Sequence, residues 1–153
     1  MQPVTFPELP PVDRRPFIPD DVWVVANMGG RSCRVTMTRW GGSVWWPVDD
    51  SITTSLKDGV WTVSSSSPAA ASMIGALRLE PGMRVLEIGT ETGWNAACLA
   101  ALGAEVVSVE IDAVIAAQAR ANLHAAGYGR VTLIGDGERG AAGYAPYDRV
   151  LAT

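Results

Sequence analysis

From residue 83 onward the apolar positions keep switching between two rhythms. "MRVLEI" and "EVVSVEI" are short, nearly continuous apolar runs, the pattern of strands buried on both faces. Between them "WNAACLAAL" is longer and closes at Gly103, which predicts a helix. Asp112 stands as a cap before "AVIAAQARANLHAA", a second helix closed by Gly127. "RVTLI" and "DRVLA" predict a third and a fourth strand. Strands and helices alternating over short links imply right-handed crossovers and an α/β fold with a parallel sheet.

Upstream the rhythm differs. "SSSSPAAASMIGALRL" predicts a helix capped by Ser67, with Pro68 in its first turn and Met73, Ile74 and Leu77 at helical spacing; "EPG" at 80–82 ends it. Between Val22 and Val63 the breakers "MGG", "WGG", "DD" and "KDG" separate the β-rich pieces "VWVVA", "RVTMTRW", "SVWWPV" and "GVWTV". Five of the six tryptophans fall there, which suggests a small antiparallel cover with tryptophan as its filler. Residues 1–19 hold six prolines and no periodicity, the mark of an extended arm without helix or strand. The expected division is therefore an arm and tryptophan-rich β cover over 1–63 and an α/β core over 64–153.

Composition narrows the class. The 153 residues are 48% apolar and 18% charged, enough for a packed core. A net charge of -4 argues against a large nucleic-acid footprint. No apolar run is long enough to cross a bilayer. The first 17 residues have prolines and acids where a signal peptide needs a basic start and an apolar middle, so a cytoplasmic protein is expected. Cys33 and Cys98 are too few and too far apart for a disulfide scaffold or a zinc site, and no metal is expected. His124 falls within a helix and reads as a surface residue.

Candidate chemistry gathers at the loops beyond the strands. In a doubly wound sheet ligands bind past the carboxyl ends of the strands, near the switch in strand order. The first strand runs into "EIGTETG", where Gly89 and Gly93 flank a turn at the start of a helix. Glu110 ends the second strand about 20 residues on, where an acid can take the two hydroxyls of a ribose. Asp136 follows the third strand in "GDGERG" and can accept from the exocyclic amine of a base. "PYD", before the fourth strand, is assigned to the same rim. Jointly the set describes a ligand carrying adenosine. A nicotinamide dinucleotide is disfavoured, because its fingerprint G-x-G-x-x-G is not matched by G-T-E-T-G.

With Glu87 before it, this loop resembles motif I of class I S-adenosylmethionine methyltransferases, and the fold expected is their Rossmann-like sheet. "SVEID", "GDG" and "YDRVLAT" sharpen the likeness to the protein L-isoaspartyl O-methyltransferase family, in its actinobacterial style. "RPFIPDDVW" and "SSSSPAAASM" are similar to segments of that family too; the stretch from about 26 to 60 matches least. The resemblance implies S-adenosyl-L-methionine as cofactor and methyl transfer to an aspartyl or isoaspartyl carboxylate of a protein or peptide. It implies that Glu87, Gly89, Thr90 and Gly93 surround the methionine end, that Glu110 binds the ribose, and that Asp136 and Gly137 contact the adenine. It places the active-site serine at Ser66, two residues before Pro68. Repair of damaged protein and the making of modified peptides both fit.

Two departures stand out. Glu91 occupies the position of the family's central glycine, so it must accept a glycine-like backbone or shift the loop, and weakened cofactor binding is expected. The chain also stops at "DRVLAT", where the family continues, so the expectation is a truncated core whose fourth strand is left as an open edge. The competing reading is a degenerate, non-catalytic module that holds cofactor or peptide without turnover.

Overall fold

The computed structural model describes residues 8–19, 21–25, 32–36, 52–57, 60–64, 67–135 and 141–153. Two sheets account for its strands. The first is antiparallel and comprises β1 (Asp21–Val25), β2 (Ser32–Thr36), β3 (Ile52–Lys57) and β4 (Val60–Ser64) in the order β2-β1-β3-β4. Three of the expected β-rich pieces contribute. The fourth, "SVWWPV", lies outside the described residues. β3, "ITTSLK", was not expected: its breaker-rich surroundings obscure it, yet Ile52, Thr53 and Thr54 are β-branched and suit a pleated strand.

The second sheet is parallel. Helix α1 (Ser67–Ala76) leads to β5 (Arg84–Ile88), α2 (Trp94–Ala101), β6 (Glu105–Val109), α3 (Ala113–Ala125), β7 (Thr132–Ile134) and β8 (Arg149–Ala152). Its order is β7-β6-β5-β8. The chain thus builds outward from β5 through β6 to β7, then returns to lay β8 on the other side of β5, which places the switch in strand order beside the glycine turn. Helix α1 begins at Ser67 itself, which is its first helical residue and not the cap expected there. Asp112 caps α3 as expected, its carboxylate accepting from the amides of Val114 (2.8 Å) and Ile115 (3.2 Å). Gly103 and Gly127 end α2 and α3 with positive φ.

Alternation along the strands sorts the core. Val85, Val106 and Leu151 pack with Ile74 of α1, with Ala96, Ala97, Cys98 and Leu99 of α2, and with Leu123 of α3. Leu86, Val107 and Val109 form a second cluster with Ala141. The small residues of α2 let that helix lie close on the sheet, and each fully buried large side chain such as Leu99 contributes about 2 kcal/mol. Burial pushes the Cys98 thiol up to about 12, so it stays protonated and inert.

The proline-rich arm differs from expectation. It contains a 3₁₀ turn at Arg15–Phe17, started by Pro16 and by Asp13, whose carboxylate accepts from the Arg15 amide at 3.0 Å. The arm is also part of the core of the parallel sheet: Phe17 is buried there, with Leu9 and Val12 against it. Buried Arg14 stacks its guanidinium 4.8 Å from the centre of the Trp94 ring, and the Trp94 indole donates to the Val12 carbonyl at 3.4 Å.

Candidate functional site

The turn after β5 is built by contacts to both neighbouring strands. The amides of Gly89 and Thr90 both donate to the Val109 carbonyl, at 2.9 and 3.2 Å, so the turn rides on the end of β6. Gly89 has φ +93, and a Cβ there would lie 2.8 Å from the Thr153 carbonyl oxygen, so no other residue fits that position unstrained. Gly93 has φ +90, and a Cβ there would lie 3.0 Å from Leu123 Cγ. Between them Glu91 takes φ +48, the left-handed backbone that its glycine-like position demands. The glutamate thus accepts a glycine-like backbone.

Glu110 explains how. Its carboxylate, directly past β6 and buried, accepts from the Glu91 amide at 3.0 Å and from the Asp112 amide at 3.1 Å. One side chain therefore ties the glycine turn to the start of α3. Gly89 and Glu110 stand on one rim of the sheet, at the carboxyl ends of β5 and β6.

Beneath the turn lies a chain of short hydrogen bonds. The Ser108 hydroxyl donates to Glu87 Oε2 at 2.5 Å, and the hydroxyls of Ser108 and Thr90 meet at 2.5 Å. All three side chains are buried. Parallel pairing sets Glu87 opposite Ser108, which is why the two meet. Glu87 Oε1 is buried without a hydrogen-bond partner among the described residues. Burial pushes the Glu87 carboxyl up to about 8, against the Ser108 hydrogen bond, and the carboxylates of Glu91 and Glu110 push the same way. Glu87 is thus mostly a neutral acid at pH 7. Ser108 was not foreseen; its only mark in the sequence is a small polar residue inside the apolar run "VVSV".

The structure thus brings Glu87, Gly89, Thr90, Gly93 and Glu110 to one rim. Ser66, Asp136 and Gly137 lie outside the described residues. "PYD" does not join this rim. Asp148 precedes β8, and its carboxylate accepts from the amide of Arg84, the first residue of β5, at 2.8 Å. Parallel strands start at the same edge, so a residue before β8 falls at the amino end of the sheet. A hollow of about 670 Å³ opens at that same far end, bordered by Arg84, Glu105, Tyr128, Arg130 and Tyr144. Arg84 there is already spent on Glu105 (2.9 Å) and the Tyr144 carbonyl (3.2 Å), so the hollow offers less to a ligand than the acid-lined rim. His124 is exposed, as expected.

The family described as protein-L-isoaspartate(D-aspartate) O-methyltransferase matches residues 47–153. The chain belongs to that family. Two relatives named protein-L-isoaspartate O-methyltransferase illustrate the likeness. That of Koribacter versatilis is 45% identical over 82 residues, covering 53% of this chain and 37% of the relative. That of Methylorubrum populi is 45% identical over 98 residues, covering 64% and 46%. The chain spans less than half the length of these curated relatives. A solved protein-L-isoaspartate O-methyltransferase superposes with a TM-score of 0.62 at 33% identity, covering 69% of this chain and 34% of that one. A Plasmodium falciparum chain solved with S-adenosyl-L-homocysteine has a TM-score of 0.54 over 68% of this chain and 55% of its own; at 15% identity it bears on the fold alone. The fold of this isoaspartate methyltransferase family member is the Rossmann-like methyltransferase sheet, with the antiparallel strands β1–β4 ahead of it. Among the described residues no helix is long and apolar enough to cross a membrane, and no three metal-ligating side chains converge.

Proposed function

We propose that this chain carries the cofactor-binding part of an S-adenosylmethionine-dependent carboxyl methyltransferase acting on aspartyl or isoaspartyl groups of proteins or peptides. The observation that carries the reading is the geometry of the rim: Glu110 buried beside a glycine turn at the carboxyl ends of β5 and β6, over a buried Glu87 with one oxygen unpartnered among the described residues. Such a rim suits a ligand that brings cationic N–H donors and a sulfonium. We assign residues 64–153 to the cofactor core, with the β cover of 1–63 beside it; the arm's Phe17, packed in that core, belongs to it physically.

When bound, the cofactor supplies an activated methyl group. Glu110 would accept from the ribose hydroxyls while still holding the Glu91 amide. Gly89 and Thr90 would let the methionine end approach bare backbone, with Glu87 beneath. Asp136 and Gly137 would face the adenine, and Ser66 would orient the acceptor carboxylate. That carboxylate is ionised at neutral pH, with an ordinary pKa of ~4, so no general base is needed. Alignment of oxygen, methyl and sulfur and the exclusion of water then supply the acceleration. A protein of this kind is expected in the cytoplasm, working on polypeptide rather than nucleic acid.

The decisive test pairs two measurements. Calorimetry should detect S-adenosyl-L-homocysteine binding and no NAD binding. Labelled S-adenosylmethionine should then methylate an isoaspartyl peptide in a Ser66-dependent way. Absence of S-adenosylhomocysteine binding overturns the reading; binding without methyl transfer favours the non-catalytic module. Glu91 sharpens this. Glu91→Gly removes an acid that would repel the cofactor's own carboxylate, so S-adenosylhomocysteine should bind roughly 3- to 10-fold tighter, the equivalent of about 1 kcal/mol. An unchanged affinity in the same titration refutes the claim that Glu91 weakens the site.

A further inference from the structure

The backbone groups of the glycine turn are met mainly by other elements, one of them a helix distant in sequence. The amides of Gly89 and Thr90 bond to β6, that of Glu91 to Glu110, and that of Gly93 to the Thr90 carbonyl at 2.9 Å. The Thr92 carbonyl is met from α3 instead, where Asn122 donates through Nδ2 at 3.0 Å. An amide side chain can face either way, and its orientation decides whether it offers a donor or an acceptor. Here Gln118, one helical turn earlier, donates through Nε2 to Asn122 Oδ1 at 2.9 Å, so the Asn122 NH2 is directed at the turn. The next residue, Leu123, is buried and abuts Gly93. At its other end α3 is held by Glu110 through the Asp112 amide.

We propose that Asn122, oriented by Gln118, is a positioning residue for the cofactor turn: it fixes the Thr92–Gly93 peptide and so the course of the turn around the amino-acid end of the cofactor. The proposal rests on the cofactor reading above. Glu110, just before α3, and Asn122, near its end, hold adjacent residues of the turn, the Glu91 amide and the Thr92 carbonyl, so α3 is tied to the turn at two points. A turn displaced at Thr92 misplaces the homocysteine moiety and leaves the ribose contact in place. Small misplacements of positioned groups are expensive in such sites.

The test compares a whole ligand with its fragment. Asn122→Ala should weaken S-adenosylhomocysteine binding about 10-fold by calorimetry and change adenosine binding, followed by NMR, by less than about 2-fold. Asn122→Asp, which sets a carboxylate against the Thr92 carbonyl, should weaken S-adenosylhomocysteine binding further. Gln118→Ala, exposed and outside the turn, should give a smaller loss in the same direction. A merely structural Asn122 would lower the melting temperature and affect both ligands alike, or neither; either pattern overturns the proposal. Should the parent chain bind no S-adenosylhomocysteine, the cofactor reading itself fails, an outcome plainly distinct from a parent that binds and an Asn122→Ala that binds equally well.

Discussion

Glu87→Gln is expected to melt well above the parent chain at pH 8 and nearly level with it at pH 4. The Glu87 carboxyl is fully buried, holds one hydrogen bond from Ser108 and has one oxygen without a partner among the described residues. It ionises at about 8 in the folded chain, against 4.5 for an ordinary glutamic acid. Between those two values the folded chain keeps a proton that the unfolded chain has already released. Stability contributed by this group is therefore fully present below pH 4.5 and is lost as pH rises through 8. Glutamine mimics the neutral acid at every pH: its amide oxygen can take the Ser108 hydrogen bond, and its shape is the same. The gain at pH 8 should be on the order of 2–5 kcal/mol, since each unit of displacement is worth about 1.4 kcal/mol. In a chain of this size that corresponds to roughly 5–15 °C. Thermal melts of parent and variant at pH 4, 6 and 8 check it. Other titrating groups cancel in the difference, so a gap between the two that stays constant across pH would refute the burial of a neutral Glu87.

Glu110→Ala should abolish most of the affinity for S-adenosylhomocysteine, a loss on the order of 100-fold, or about 2.7 kcal/mol. Two effects combine. The substitution removes the acceptor for ribose hydroxyls that the cofactor reading assigns to Glu110. It also leaves the amides of Glu91 and Asp112 without the carboxylate that now joins them, and a partly buried donor left unmet costs about 1–3 kcal/mol. The turn and α3 then lose a shared anchor. Glu110→Gln keeps one acceptor oxygen and should fall between the two. Calorimetry on the three proteins gives the series, and an Ala variant within about threefold of the parent would remove Glu110 from the site.

Much of this arrangement could be read from local signals. Asp112 as a cap, Gly103 and Gly127 as helix ends, and the apolar runs of β5, β6, β7 and β8 depend on residues within a few positions of each other. So does the glycine turn, because a positive φ at Gly89 and Gly93 is a property of the residues themselves. β3 was missed because β propensity is weak and its neighbourhood is dominated by breakers. "PYD" belongs to the opposite rim, and chain order with a parallel sheet is enough to place it there, because a residue that precedes a strand lies at the amino end of that strand. The arm was read as merely extended, since proline content says nothing of what Phe17 and Arg14 will pack against.

By itself the sequence determined the alternation of strands and helices, the glycine turn with an acid before it, and the family to which the chain belongs. The first two follow from short-range rules of periodicity, capping and backbone freedom; the family rests on motif resemblance and on the match of residues 47–153. Only the tertiary structure decided the state of Glu87, because Ser108 reaches it through strand pairing 21 residues away. Tertiary structure likewise decided the double grip of Glu110 and the reach of Asn122 to Thr92 across 30 residues. Desolvation and hydrogen bonding depend on which groups are neighbours in space, and that is settled only when the sheet and its helices close over one another.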